Sequence, residues 1–162
     1  MGHRRSGCDV TTTLTLVDGE VHVLTELVAQ LLDLYEDADD HDPAIDRLSP
    51  AAYRDNDEAS AEFRRLTRTD LLTQRSEDAS TMLGALNAAA GSAHDETDGT
   101  ITVVLDDASV LAWMRTLASL RLVMATRLGI GQNDHHDHDD PNYALYDWLA
   151  YRLETLVEAT EA

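Results

Sequence analysis

The stretch from Asp106 to Ile130, DDASVLAWMRTLASLRLVMATRLGI, constrains the fold more than any other segment. At about 100° of rotation per residue, Trp113, Leu117, Leu120, Met124 and Leu128 fall on one stripe. Val110, Leu111, Met114, Ala118, Leu122 and Ala125 widen the apolar surface on one side and Val123 extends it on the other. Only Arg115, Ser119 and Thr126 remain as a narrow polar strip. A helix apolar nearly all round is one that other elements pack around, so the spacing predicts a central, buried helix. Asp106 or Asp107 can cap its start and face the positive end of its dipole, and Gly129 and Gly131 supply the stop.

Arg121 interrupts this pattern, lying inside the apolar arc between Leu128 and Met114, while Arg127 sits at the opposite edge near Leu120. A guanidinium there needs a partner, because an uncompensated buried charge is strongly destabilising. Two readings follow. Arg121 is a structural arginine whose stem covers apolar surface while its head reaches water or an ion pair, or it is an anion-binding arginine in a cleft.

The rest of the chain reads as helices gathered around this one. Residues 1–9 form a loose tail and residues 10–162 a single domain. Two β-branched, alternating runs, VTTTLTLV at 10–17 and TITVVL at 100–105, predict strands that pair with each other, since a lone strand leaves its backbone unsatisfied. Residues 18–36 predict an amphipathic helix with Val21, Leu24, Val28, Leu31, Leu32 and Tyr35 inward and His22, Glu26, Gln30 and Asp33 outward. Residues 36–46 read as an acidic loop without EF-hand spacing, and 48–54 as a turn or short helix.

A helix starting near Asp57 places Ala59, Phe63 and Leu66 on one face, with Asp70 following if the helix continues. Asp70 is then the natural partner of Arg121; alternatively a new helix begins near Thr69 or Asp70. Arg64, Arg68 and Arg75 form the one basic stripe, expected to be salt-bridged among the many carboxylates. A further helix is expected at 77–90 with Met82, Leu83 and Leu86 inward, then a polar loop at 91–99. The last helix spans about 142–159, with Tyr146, Leu149, Leu153, Leu156 and Val157 inward and Trp148, Tyr151 and Arg152 on the far side. The fold class is mainly α: a helical bundle around a central apolar helix with a small two-stranded sheet.

Charge narrows the function classes. Twelve Lys+Arg, all arginine, stand against 31 Asp+Glu, a formal net charge of −19. Such a chain repels phosphate backbones, and it lacks a helix-turn-helix with a basic recognition helix, so nucleic acid is not an expected partner. A single cysteine, Cys8, fits a reducing compartment; with neither a signal-peptide pattern nor a membrane-spanning apolar run, the expected location is cytoplasmic. The absence of lysine reads as a codon preference for arginine or, alternatively, as avoidance of lysine-directed modification.

The loop GQNDHHDHDDPN, 131–142, carries His135, His136 and His138 among Asp134, Asp137, Asp139 and Asp140. By ligand type it is the best metal candidate, but it has no helical ligand spacing and no thiolate, so it reads as a solvated loop with incidental zinc or nickel affinity, and no metal or cofactor is assigned. Serine, threonine and histidine residues are scattered without the grouping of a catalytic triad, and no catalytic residue is assigned.

The segments DPAIDRLSPAAYRD, EFRRLTRTDL, WMRTLASLRLVMATRLGI and YDWLAYRLETL, in this order, resemble an actinobacterial family described as a domain of unknown function, over about residues 14–158. The resemblance implies a genomic neighbourhood holding the gene for the Clp protease adaptor, and often a JAMM-type metallopeptidase and sulfur-carrier genes. It also implies that 36–42 and 132–141 are variable loops. Some members of that family carry the label of transcriptional regulator, which the acidic charge here opposes.

The first expectation is therefore a non-enzymatic interaction or regulatory protein of the cytosol, binding a protein partner or itself through Trp148, Tyr151 and Arg152. The Glu62–Arg65 and Arg121–Arg127 segments would set the scaffold. The alternative is a binder of small anions, or an enzyme, using a cluster of Arg64, Arg65, Arg121 and Arg127 with Glu62 and Asp70. A transcriptional regulator is the third.

Overall fold

The computed structural model describes residues 10–37, 41–49, 57–92, 98–131, 133 and 135–162, except the side chains of residues 57, 59, 60 and 64. The chain is mainly helical with one small antiparallel sheet. Strand β1, Thr12–Val17, pairs with β2, Thr100–Leu105, in a register that sets Thr12 opposite Leu105 and Val17 opposite Thr100. Alternation does the sorting: Thr12, Leu14 and Leu16 of β1 and Ile101, Val103 and Leu105 of β2 are buried, while their neighbours face out.

Helix α1, Asp18–Asp37, leaves β1 without a loop. The Val17 N–H donates to Glu20 Oε2 at 3.0 Å, which closes the first turn as one half of a capping box. Val21, Leu24, Val28, Leu31 and Tyr35 are buried, as their spacing predicts. The short helix α2, Pro43–Leu48, starts inside the segment read as an acidic loop. Its start is ordinary helix chemistry: Asp42 accepts from the Ala44 N–H at 2.8 Å, and Pro43 needs no acceptor in the first turn.

Helix α3, Asp57–Ala90, runs unbroken for 34 residues through both Asp70 and the boundary expected near residue 77. Ser76, Glu77 and Asp78 resemble a helix start, but no Gly or Pro lies between Asp57 and Gly84 to end the first helix. Asp78 is buried and turned toward Arg115 at 3.7 Å and Gln74 at 3.5 Å instead of capping a new helix. The two ends of α3 differ. From residue 61 to 70 the described side chains are mostly exposed, whereas Leu72, Ala79, Met82, Leu86 and Ala89 enter the core.

Helix α4, Asp107–Leu128, is the central helix. Asp106 caps it by accepting from the Ser109 N–H at 2.8 Å. Gly129, at φ 72°, ends it in the left-handed conformation, and the Ile130 N–H reaches back to the Ala125 carbonyl at 2.8 Å. Its polar strip is only partly an outer face: Arg115 is exposed, but the strip turns inward at Ser119. Ser119 is buried and receives the Arg75 guanidinium at 2.7 Å, and buried Thr116 donates to the Ala112 carbonyl. Leu111 is exposed instead. The reason is α3, which approaches that side and brings its own polar groups. Among the described residues α4 alone is long and apolar enough to cross a bilayer by length and composition; here Trp113, Leu117 and Leu120 are buried within the bundle.

A 3-10 turn, Pro141–Tyr143, leads into helix α5, Ala144–Glu161. Its Tyr146, Leu149 and Leu156 are buried, the last two in the core formed with α1, α3, α4 and the sheet.

Candidate functional site

The four helices do not close evenly around α4. Along its C-terminal half, α1 and α4 stand apart, and a groove of about 460 Å³ lies between them and α5. Leu27, Leu31 and Leu34 form the α1 wall, with Val123, Met124 and Leu128 of α4 opposite and Leu145 of α5 at one end. Its polar members are Gln30 and Arg127. Arg127 is held at the rim by Asp42, Nη2 to Oδ2 at 2.8 Å. That hydrogen bond is the largest influence on the Asp42 carboxyl and, with the Ala44 N–H, holds it below its ordinary range against the opposing effect of burial.

Arg121 opens into a different place. Its guanidinium lies over the Tyr146 ring, 4.5 Å from the centroid. With Arg47, Ala125, Gly131 and Leu153 it lines a shallow cleft of about 250 Å³. Arg47 donates to Thr126 Oγ1 at 3.1 Å and points toward the Ile130 carbonyl at 3.5 Å. Glu62, Arg65 and Asp70 are exposed on the outer part of α3, and none of them lines this cleft. The side chain of Arg64 lies outside the described residues. The structure thus joins Arg121 to Arg47 and Tyr146, and places Arg127 on the groove. Of the basic stripe, Arg68 stands 3.7 Å from Asp46 and Arg75 points inward to Ser119.

The α5 residues expected to be exposed together are split by Glu20. The Trp148 indole N–H donates to Glu20 Oε1 at 3.1 Å, and Arg152 donates to the same oxygen through two guanidinium nitrogens. Trp148 is half-buried and packed against the core, whereas Tyr151 is 55% exposed. Burial alone would raise the Glu20 carboxyl, but hydrogen bonds from Arg152, Val17 and Trp148 outweigh it and set it below 4.5. A helical wheel of α5 alone could not show this, because the covering group comes from the first turn of α1.

The His–Asp loop is also organised from outside itself. His136 Nε2 lies 2.6 Å from Asp147 Oδ1 and His138 Nδ1 lies 3.1 Å from Asp147 Oδ2, while His135 is exposed. Asp147, in the first turn of α5, was not among the residues singled out from sequence, and neither were Arg47, Asp42 or Glu20. Their signal was available only as helix-start chemistry at Asp42 and Glu20.

A family model described as a domain of unknown function (DUF2017) matches residues 1–160 of the chain. No curated protein and no solved structure matches it.

Proposed function

We propose that this chain, which belongs to the DUF2017 family, is a non-enzymatic protein-binding module of the cytosol whose groove between α1 and α4 receives an amphipathic helix with basic flanks. The single observation that carries this reading is the groove itself, an apolar channel left open between α1 and α4. Helix-in-groove recognition requires such a channel, and a methionine in its wall adapts to different side chains. Charge selects the occupant. Helix α1, one wall of the groove, carries Asp18, Glu20, Glu26, Asp33, Glu36 and Asp37 and no Lys or Arg, within a chain of net charge −19. Basic flanks are attracted to that wall and acidic ones repelled. Binding of a peptide helix also suits the setting near Clp-type proteolysis or sulfur-carrier chemistry that the family resemblance implies.

The test uses a dye-labelled amphipathic Leu/Lys peptide, read by fluorescence anisotropy. Saturable binding is expected, lost in Val123→Asp and Leu128→Asp and absent for a scrambled peptide of equal charge. Equal binding of the scramble, or binding indifferent to both substitutions, would overturn the reading.

A second reading rests on the cleft where Arg47 and Arg121 converge beside Tyr146. Two planar guanidinium groups suit a small carboxylate or phosphate. Under that reading inorganic phosphate raises the melting temperature of the protein and not of Arg47→Ala; no shift in the parent protein would remove it.

A further inference from the structure

The corner joining the 3-10 turn to α5 carries an inference independent of the groove. We propose that His136, His138 and Asp147 form a binding site for one zinc ion.

One donor atom from each of these three residues lies within 4.8 Å of the other two. The arrangement is more than a group of polar side chains on a loop. The His136 side chain is 2% exposed, and its ring is enclosed by Tyr143 at 4.9 Å and Tyr146 at 5.3 Å between centroids. That enclosure fixes the direction of the imidazole. The His138 ring meets it edge-on at 4.5 Å. Asp147 stands on the first turn of α5, so its carboxylate is held by a helix while it faces both rings.

Neighbouring carboxylates build the turn that presents these groups. Asp137 accepts from the Asp139 N–H at 3.0 Å, and Asp140 accepts from the Asn142 N–H at 2.9 Å, capping the 3-10 turn. The donor set is therefore two imidazoles and one carboxylate. Donors around a tetrahedral zinc, with bonds of about 2.0–2.1 Å, stand about 3.3 Å from one another. The present separations of 2.6 Å and 3.1 Å are hydrogen-bond contacts, both shorter than that, so an entering ion replaces the proton between each ring and the carboxylate while small side-chain rotations open the donors to that spacing.

The chemistry of the donors selects the cation. Imidazole nitrogen favours zinc, copper and nickel over magnesium and calcium, which prefer an all-oxygen shell. Two imidazoles and one carboxylate, with a fourth position left to water, match zinc. His138 is 76% exposed, which puts the fourth position within reach of solvent. Bound there, the ion fastens the loop to the start of α5. Tyr146 carries the effect onward, because its ring touches His136 and also lies under Arg121.

Full-length protein, freed of metal with a chelator and dialysed, is titrated with zinc chloride by calorimetry. One equivalent is expected to bind. His138→Ala and Asp147→Asn should each weaken it by roughly tenfold or more, and His135→Ala should leave it unchanged. Cobalt(II) should give the intense visible absorption of a tetrahedral site, lost in the same two variants. His138 is exposed, so its replacement spares the fold and keeps the test valid if Asp147→Asn unfolds; circular dichroism checks both. Absence of zinc binding by the folded parent protein, or binding that persists unaltered in His138→Ala, would overturn the assignment.

Discussion

The two halves of α4 have nearly the same apolar content and different fates. In the first half Val110, Ala112, Trp113, Thr116 and Leu117 are buried, with α3 bringing Asp78 to meet Arg115. In the second half every residue from Arg121 to Met124 is only partly covered, and Val123, Met124 and Leu128 border the groove facing α1. Apolar periodicity specifies which residues avoid water. It does not specify whether a neighbour in the same chain covers them, and in the second half the covering is incomplete. The proposed helix-in-groove recognition rests on this difference.

The sharpest way to break the comparison is to truncate both halves. Trp113→Ala should cost about 3–5 kcal/mol and Leu117→Ala about 2–5 kcal/mol in urea unfolding, because both leave cavities in a filled core. Leu128→Ala, removing a half-covered side chain, should cost at most about 1 kcal/mol while weakening peptide binding. Equal losses at Leu117 and Leu128 would mean that the groove half is as tightly filled as the other.

Next in size is Glu20→Gln, which loosens the start of the α1 wall. It should cost about 1–3 kcal/mol, since Arg152 and Trp148 both depend on that carboxylate. The pH dependence has a fixed sign. Folding lowers the Glu20 pKa from 4.5, so the stabilisation is complete above 4.5 and disappears as pH falls through the lower folded value. The gap between parent and variant should therefore close on acidification and stay constant above pH 5.

Asp42→Ala should cost about 1 kcal/mol through loss of the α2 cap and should free Arg127 at the groove rim, read as a change in the salt dependence of peptide binding. The smallest effect belongs to Tyr151→Ala, expected within about 0.5 kcal/mol of the parent and without influence on groove binding. A large loss of binding there would move the interface to the outer face of α5.

Legibility in the sequence followed the range of the interaction. The strands, α1 and α4 were readable because periodicity and caps are local, whereas the start of α5 was set too early, at Asn142, which belongs to a 3-10 turn capped by Asp140. The merging of 57–76 with 77–90 was missed because Ser76-Glu77-Asp78 imitates a helix start, and the answer lay in Arg115 of another helix. His136 and His138 were visible as donor types, but their meeting point, Asp147, lies beyond a 3-10 turn. Trp148 was placed on the outside because the group that covers it, Glu20, is 128 residues away. The groove was invisible because it is a relation between α1 and α4, and neither helix alone encodes it.

Two methionines provide the most direct test. Met124 borders the groove and Met82 is buried on α3. In protein labelled with carbon-13 at the methionine methyl groups, the amphipathic Leu/Lys peptide should shift the Met124 resonance in a saturable way and leave Met82 in place. A peptide that binds while Met124 stays unmoved would contradict the groove as the site of recognition.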